Sequence, residues 1–410
     1  MKQLAARARV WLAVVGGMAC LSCAGDLGLE PCDIRKSACQ RDVFMAVQDV
    51  RGSLWDPWLE VPPMRVIGTQ QYRAELEAAR EWALQADRPY DYLTPALKLL
   101  HMIDPEEPPD GQTDFTLSFV AAYYDAVQRS VTIIDRGSGT DLRADVRTLA
   151  HELVHAAQER DIGFASFDTW ISSLDTANAT GSLIEGEAML YENLVDAKLR
   201  SLDVSRIEWD EYHASWIAGT REQIAMDPSP FRLASSGLRY PLGSAYLTDA
   251  FLEGAQLGVR RALTAHPDST ARLMAGRKSR DDRPAAAWSC SQPEAPPGHG
   301  RVRDDELGAF SLYAFATRLF PDDDARAWSL ASAWNGDRFF IYATPEKQLA
   351  VLWMLRMRTP DDARLLREAL AQSSLGESVQ SELEGERLQL FVAQTDLGDF
   401  ASWRTCSAPL

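Results

Sequence analysis

The sequence predicts an α+β fold, and three observations predict it. Apolar residues recur with helical period, most clearly over Thr69 to Ala86, where Tyr72, Leu76, Ala79 and Leu84 fall near one face. Two runs rich in Val, Ile, Tyr, Phe and Thr, Phe115 to Tyr124 and Ala126 to Ile134, stand together with Asp125 between them and read as antiparallel strands. A second strand pair, Arg338 to Ala343 and Gln348 to Arg356, is set among helical segments near the C-terminus. With 410 residues and 46% hydrophobic content, the chain can bury a large core.

At the N-terminus, Lys2, Arg7 and Arg9 precede an apolar run from Val10 to Met18 that is too short to span a bilayer. A basic start, a short apolar middle and small residues after it have the shape of a secretory signal over residues 1–23. Cys20 and Cys23, in GMACLSCAGD, are candidates for lipid attachment, since a cysteine there is similar to the lipid acceptor of bacterial lipoproteins. The expectation is an exported protein of a bacterial cell envelope, touching the membrane only through a lipid anchor. Export places Cys32, Cys39, Cys290 and Cys406 in an oxidising compartment, where they read as two disulfides among three possible pairings. Cys32 with Cys39 closes a short local loop, and Cys290 with Cys406 would tie a loop to the C-terminus. The formal charge of −17 repels phosphate backbones, so no nucleic-acid partner is expected.

The elements follow in order. Gln40 to Val50 and Thr69 to Ala86 are helical, and Tyr92 to Ile103 is a short helix stopped by Asp104-Pro105, which makes residues 24–114 a helical region. The strand pair opens a core unit spanning residues 115–274. Its strand Val131 to Ile134 is the candidate edge on which an extended peptide could add. Asp135 to Thr140, DRGSGT, is a turn, and Thr140 or Asp141 can cap the helix from Leu142 to Glu159. Residues 275–305 lack periodicity and read as a linker. A smaller α+β part over 306–410 follows: helices at Glu306 to Arg318 and Ala325 to Ala333, the second strand pair, a helix from Thr359 to Ala371, and a strand at Leu388 to Ala393.

The chemistry sits in TLAHELVHAAQ, Thr148 to Gln158. At about 100° per residue His151 and His155 project one turn apart on one helix face, a spacing that can hold one zinc ion. Glu152 lies at the edge of that face, where it can take a proton from water. A catalytic zinc needs a third protein ligand. GSLIEGEAMLYE, Gly181 to Glu192, offers Glu185 and Glu187, which a helix sends about 200° apart, so one of them can point at the metal.

This arrangement resembles the gluzincin metallopeptidases, in which HExxH is followed by a helix carrying a glutamate ligand. In their aminopeptidase branch that helix reads NEGFA, and IEGEA matches it with Glu185 in the ligand position. HELVHAAQERD followed by LIEGEA is also similar to bacterial predicted metallopeptidases with HELTHALQDQ and ALVEGEA. Collinear landmarks of that group are AAYYDAVQRSVTIIDRG, YPLGSAYLTDAFLEGA from Tyr240, HPDSTARLM from His266 and SAWNGDRFFIY from Ser332. The resemblance spans roughly Val47 to Ala371. Glu159 and Arg160 stand where the group has aspartate and glutamine, and Arg272-Leu273-Met274 replaces its LHP tail.

The resemblance implies a zincin-like catalytic lobe built from the strand pair, the HExxH helix and the glutamate helix. It implies a zinc-dependent peptidase with ligands His151, His155 and Glu185, the base Glu152, and Glu187 as the alternative ligand or a support behind the ligands. Gluzincins supply a Tyr or His to the oxyanion, and the candidates are His213, Tyr191, Tyr212 and Tyr240. The substrate is then a peptide or protein. The alternatives are a non-catalytic zincin-like envelope lipoprotein used for binding or assembly, and a zinc amidase acting on a non-protein amide.

Overall fold

The computed structural model describes residues 31–52, 60–85, 91–107, 120–137, 141–279 and 295–395. Cys20, Cys23, Cys290 and Cys406 lie outside them, as does the predicted strand before residue 120. The chain is α+β. Among the described residues no helix is long and apolar enough to cross a membrane.

Helix α1 (Ser37–Arg51) buries Cys39, Val43, Phe44 and Val47 on one face. The predicted Cys32–Cys39 bridge joins its first turn to the chain that enters it, with Cα atoms 5.6 Å apart. The region expected to be all helical also supplies a strand, β1 (Met64–Gly68), ahead of α2 (Thr69–Gln85). Five residues are too few for a strand period to show, and the partner of β1 lies far downstream. Helix α3 (Leu93–Leu99) stops short of the predicted Ile103. His101 there takes φ 52°, and the Met102 and His101 N–H groups bond back to the carbonyls of Leu97 and Lys98. That left-handed residue and crossed pair of bonds end a helix whatever apolar residues follow.

Strands β2 (Ala122–Asp125) and β3 (Ser130–Asp135) are antiparallel as predicted, but the turn between them is longer. The Asp125 carboxylate accepts from the N–H groups of Val127 and Gln128, and Arg129 takes φ 50°, so Ala126 to Arg129 turn and do not extend. The sheet order is β1-β3-β2, with β1 and β3 parallel. Val131 to Ile134 is therefore central, and its expected role as an edge is wrong: both of its sides are paired. Among the described residues, the edge of the sheet beside the next helix belongs to β2.

That helix, α4 (Leu142–Asp161), is capped by Asp141, whose side chain accepts from the N–H groups of Arg143 and Ala144. Short α5 (Phe164–Asp168) follows. Helix α6 (Leu174–Leu199) begins with a Ser173/Thr176 capping box, a full two turns before Gly181. Helices α7 (Trp209–Met226), α8 (Pro230–Gly237) and α9 (Arg239–Thr264) follow, α9 packing along α6 and broken at Gly254 and Ala255, and α10 (Thr270–Ala275) closes the unit.

The linker expected over 275–305 is corrected at its end: Gly300–Asp305 is strand β4 and pairs antiparallel with β5 (Trp334–Ala343). GRVRDD reads as polar because β4 is an edge strand, where charge deters further pairing. Helices α11 (Gly308–Leu319) and α12 (Asp324–Ser332) lie between these strands in sequence. Strand β6 (Leu349–Met357), helix α13 (Pro360–Gln372), β7 (Gln380–Glu384) and β8 (Arg387–Ala393) complete an antiparallel sheet of order β4-β5-β6-β8-β7. One apolar cluster runs from Ile34 and Val43 through Leu153 and Leu190 to Trp353 and Val392, so the C-terminal sheet shares a core with the helical unit.

Two landmark segments, HPDST and WNGDR, meet at the joint between these parts. The first N–H groups of α11 are buried and need acceptors. Asp337 accepts from Leu307 at 2.9 Å and Gly308 at 3.1 Å, and also from the indoles of Trp334 and Trp353. The Thr270 hydroxyl oxygen accepts from Ala309, and its proton goes to Asp175 at the start of α6. The Thr270 N–H donates to the same Asp175 oxygen at 3.0 Å. Gly308 sits at φ 81° with Asp175 where a Cβ would be, so both conformation and space require glycine.

Burial raises the pKa of Asp175 to about 7 and of Asp337 to about 6, against the hydrogen bonds that favour their charged forms. The unfolded values are near 4, so the folded chain holds more protons between pH 4 and 7. Stability from these groups is complete below pH 4 and is lost as pH rises through 7. Acidification from pH 8 to 5.5 should raise the melting temperature by several degrees. Asp175→Asn, which keeps the acceptor and stays neutral, should flatten that dependence and melt higher at pH 8. Parallel melting curves for both proteins across pH 5–8 would refute the assignment.

Candidate metal centre

Helices α4 and α6 cross with buried polar residues between them. His151 and His155, one turn apart on α4, are 0% and 1% exposed, and Glu185 on α6 is 6% exposed. The Glu185 Oε2 lies 3.3 Å from His151 Nε2 and 3.5 Å from His155 Nε2. One donor atom from each residue falls within 4.8 Å of the others. Glu187, two residues along α6, points the other way, into the Gln158 amide and the Arg51 guanidinium. The geometry thus separates the two glutamates: Glu185 joins the histidines, and Glu187 stands behind them.

Each imidazole is braced on its far side. His151 Nδ1 lies 3.2 Å from Glu192 Oε2, and Arg147 holds Glu192 at 2.9 Å. His155 Nδ1 lies 2.8 Å from Gln158 Oε1. With both Nδ1 atoms engaged by acceptors, both Nε2 atoms are left to face Glu185. Outer partners of this kind fix the tautomer and aim of metal-ligating histidines. Burial disfavours a charged His151, but the hydrogen bonds it donates to Glu185 and Glu192 and the nearby charge of Glu152 outweigh it and raise the pKa to about 10. The same contacts hold Glu185 far below the usual carboxylate range despite its burial. A proton shared in this way covers negative charge that a cation would otherwise cover, so cation binding would expel it.

Glu152 is 1% exposed, and its Oε2 accepts the Tyr124 N–H at 2.7 Å. Along β2, alternate residues bond to β3: the Ile134 N–H reaches the Ala121 carbonyl, and the register pairs Tyr123 with Thr132. Tyr124 therefore turns its N–H outward from the sheet. Burial raises the Glu152 pKa to about 6, with His155 and His151 opposing the shift.

Of the four oxyanion candidates, the structure brings Tyr240 to the donors. Its ring stacks on His151 at 6.2 Å, and its hydroxyl is close enough to Glu185 to feel that carboxylate's charge. Burial and the charges of Glu185 and Glu152 push its pKa well above the usual phenol range, which keeps it an O–H donor. His213 bonds to Ser244 one turn farther along α9 and stacks on Trp209, and burial lowers its pKa to about 4. Tyr212 bonds to Asn193, and Tyr191 lies beside Arg51 on the other side of the histidines. Asn178-Ala179-Thr180 has the form of a glycosylation sequon, but Asn178 is fully buried and accepts from Arg239.

Comparison with known proteins reaches the other end of the chain. A family described as Domain of unknown function (DUF8575) matches residues 295–402. No curated protein and no solved structure matches. The matched span holds β4 to β8, and it starts ahead of residue 306, in agreement with the strand at Gly300. The residues of the donor cluster lie outside it.

The residues that the sequence reading missed are the braces. Glu192 is seven residues after Glu185, nearly two turns along the same face of α6, so helical periodicity alone could have found it. Gln158 is three residues after His155 and equally accessible to that argument. Arg147, one turn before His151, needed Glu192 first. Arg51 carries no local signal.

Proposed function

We propose that the chain is a zinc-dependent hydrolase of the zincin kind, acting on peptide bonds, with His151, His155 and Glu185 as ligands. The observation that carries this reading is the convergence of those three donors within 4.8 Å, with Glu152 next to them on the same helix. The donor set fits zinc: two imidazoles with their Nδ1 atoms engaged and one carboxylate, three of the four ligands that zinc prefers. Charge agrees. Around the cluster the acids Glu152, Asp161, Glu185, Glu187 and Glu192 face Arg51, Arg147, Arg239 and the protonated His151, so five acids meet four cationic groups. Buried charge is costly unless it is compensated, and a divalent cation that displaced the shared proton would cover the remaining negative charge.

Zinc, when bound there, supplies a Lewis acid that polarises a carbonyl and acidifies water. The chain's own groups do the rest. Glu152, fixed by the Tyr124 N–H, takes the proton of the attacking water and returns it to the leaving amine. Tyr240, held protonated, donates to the oxygen that gains charge. The outer edge of β2 lies beside Glu152 and offers an extended peptide a strand to pair with. Export through residues 1–23 and anchoring at Cys20 or Cys23 belong to the same reading.

Metal analysis tests it. Purified wild type should hold about one zinc per chain and cleave members of a peptide panel, with activity lost to a chelator and restored by zinc. His151→Ala and Glu185→Ala should each purify with almost none. Wild type that takes up no metal when zinc is supplied in excess would refute the reading, as would a Glu185→Ala protein that binds zinc like wild type. Full zinc content without hydrolysis of peptides or non-protein amides would favour a binding protein.

A further inference from the structure

Arg51 is the last residue of α1, 5% exposed, and far from the donor helices in sequence. Its Nε donates to Glu187 Oε1 at 3.0 Å, and its Nη1 donates to Asp161 Oδ2 at 2.5 Å. The other oxygen of Glu187 accepts from Gln158 Nε2 at 2.9 Å, and that nitrogen also donates to the Ile184 carbonyl at 2.9 Å. Gln158 Oε1 meets His155 Nδ1 at 2.8 Å.

The direction of every proton in this chain follows from its ends. A guanidinium can only donate, and a carboxylate or backbone carbonyl can only accept. Glu187, oriented by Arg51, together with the Ile184 carbonyl, therefore demands the NH2 end of Gln158. The oxygen end must then face His155, and it requires a hydrogen on Nδ1. The neutral ring is left with its lone pair on Nε2, the atom that faces Glu185.

We propose that Arg51 is a positioning residue of the metal centre, and that α1 thereby sets the tautomer of His155 through Glu187 and Gln158. His151 is braced by a separate route, Arg147 and Glu192. The N-terminal helix is thus a working part of the site, although it carries none of the three donors. The metal arm of this inference rests on the zinc reading, and the tautomer arm does not.

The test uses full-length protein with 15N-labelled histidine. Imidazole nitrogen shifts of metal-free wild type, followed to the pH at which the His155 ring is neutral, should show it as a single Nδ1–H tautomer. Arg51→Lys keeps a charge but loses the planar fork that spans Glu187 and Asp161. Glu187→Gln can offer Gln158 either a donor or an acceptor. Arg51→Lys lets Glu187 leave Gln158 and Glu187→Gln can offer it a donor, so with only the Ile184 carbonyl to hold the amide both variants should raise the minor Nε2–H tautomer of His155 and leave the His151 signals in place. Both should weaken zinc binding about 10–100-fold by competition titration. Arg147→Met should do the reverse, moving His151 and sparing His155. A folded Arg51→Lys or Glu187→Gln protein with one Nδ1–H tautomer at His155 and wild-type zinc affinity would overturn the proposal. If Arg51→Lys does not fold, Glu187→Gln, which leaves Arg51 on Asp161, decides alone. A wild type without zinc affinity but with the tautomer response would sink the zinc reading and keep the relay.

Discussion

Glu152→Gln should purify with its full zinc content and turn over peptide about 10²–10⁴-fold more slowly than wild type. Glutamine has nearly the same shape, and its Oε1 can accept the Tyr124 N–H that now holds the carboxylate at 2.7 Å. The helix stays packed, because Leu149, Leu153 and Val154 on its other faces are untouched. The three donors are untouched as well, since Glu152 is not among them. What disappears is the capacity to accept a proton. Burial has brought the Glu152 carboxyl to about pH 6, close to where a base is most effective near neutrality. Tyr240→Phe probes the other half of the proposed reaction. It removes one O–H and keeps the ring on His151, so zinc content should hold while kcat falls about 10²–10³-fold. Zinc stoichiometry and kcat/KM measured on the same preparations separate these outcomes. Wild-type turnover in zinc-loaded Glu152→Gln would remove Glu152 from the chemistry, and loss of zinc would make it a ligand.

What the sequence disclosed of this centre was what lies on single helices. His151 and His155 differ by four residues, and Glu185 and Glu187 by two, so helix geometry turns spacing into direction without knowledge of the fold. Choosing Glu185 over Glu187 from residues alone was not possible, because the choice depends on where α4 crosses α6. The longer elements were legible for a similar reason: Thr69–Gln85 and Leu349–Met357 repeat their period several times. Short or charged strands were not. Met64–Gly68 has five residues, and Gly300–Asp305 hides its extension under Arg and Asp. The misplacement of the edge follows from the first of these. Without β1, Val131 to Ile134 has only one neighbour, and a strand with one neighbour looks free. The later landmarks resembled parts of a site but fold as a joint. Thr270 and Asp337 satisfy the buried start of α11, and neither meets the donor cluster.

The glycine of YPLGSAY shows how such a landmark can still govern the site. Gly243→Ala should lower stability by about 3 kcal/mol or more, although alanine is the better helix former by about 1 kcal/mol. Helices α6 and α9 cross at Gly186 and Gly243, backbone against backbone. A Cβ on Gly243 would overlap the Ser182 carbonyl oxygen and sit 2.6 Å from its carbon, and one on Gly186 would overlap Gly243 itself. No rotamer change can relieve a clash between main chains, so the helices must part. Gly219 on α7 is the control, since nothing lies within 4 Å of its missing Cβ. Gly219→Ala should be neutral or stabilising by up to about 1 kcal/mol. The crossing also spaces the chemistry: Glu185 precedes Gly186, and Tyr240 stands three residues before Gly243. Separation of the helices by roughly an ångström moves the Tyr240 hydroxyl from Glu185, a displacement of the size that can cost about 10²-fold in rate. Thermal melts and zinc titrations of the two alanine variants decide the matter. A Gly243→Ala protein that melts with wild type and binds zinc as tightly would mean that the helices can part freely, and that this contact does not hold Glu185 against Tyr240.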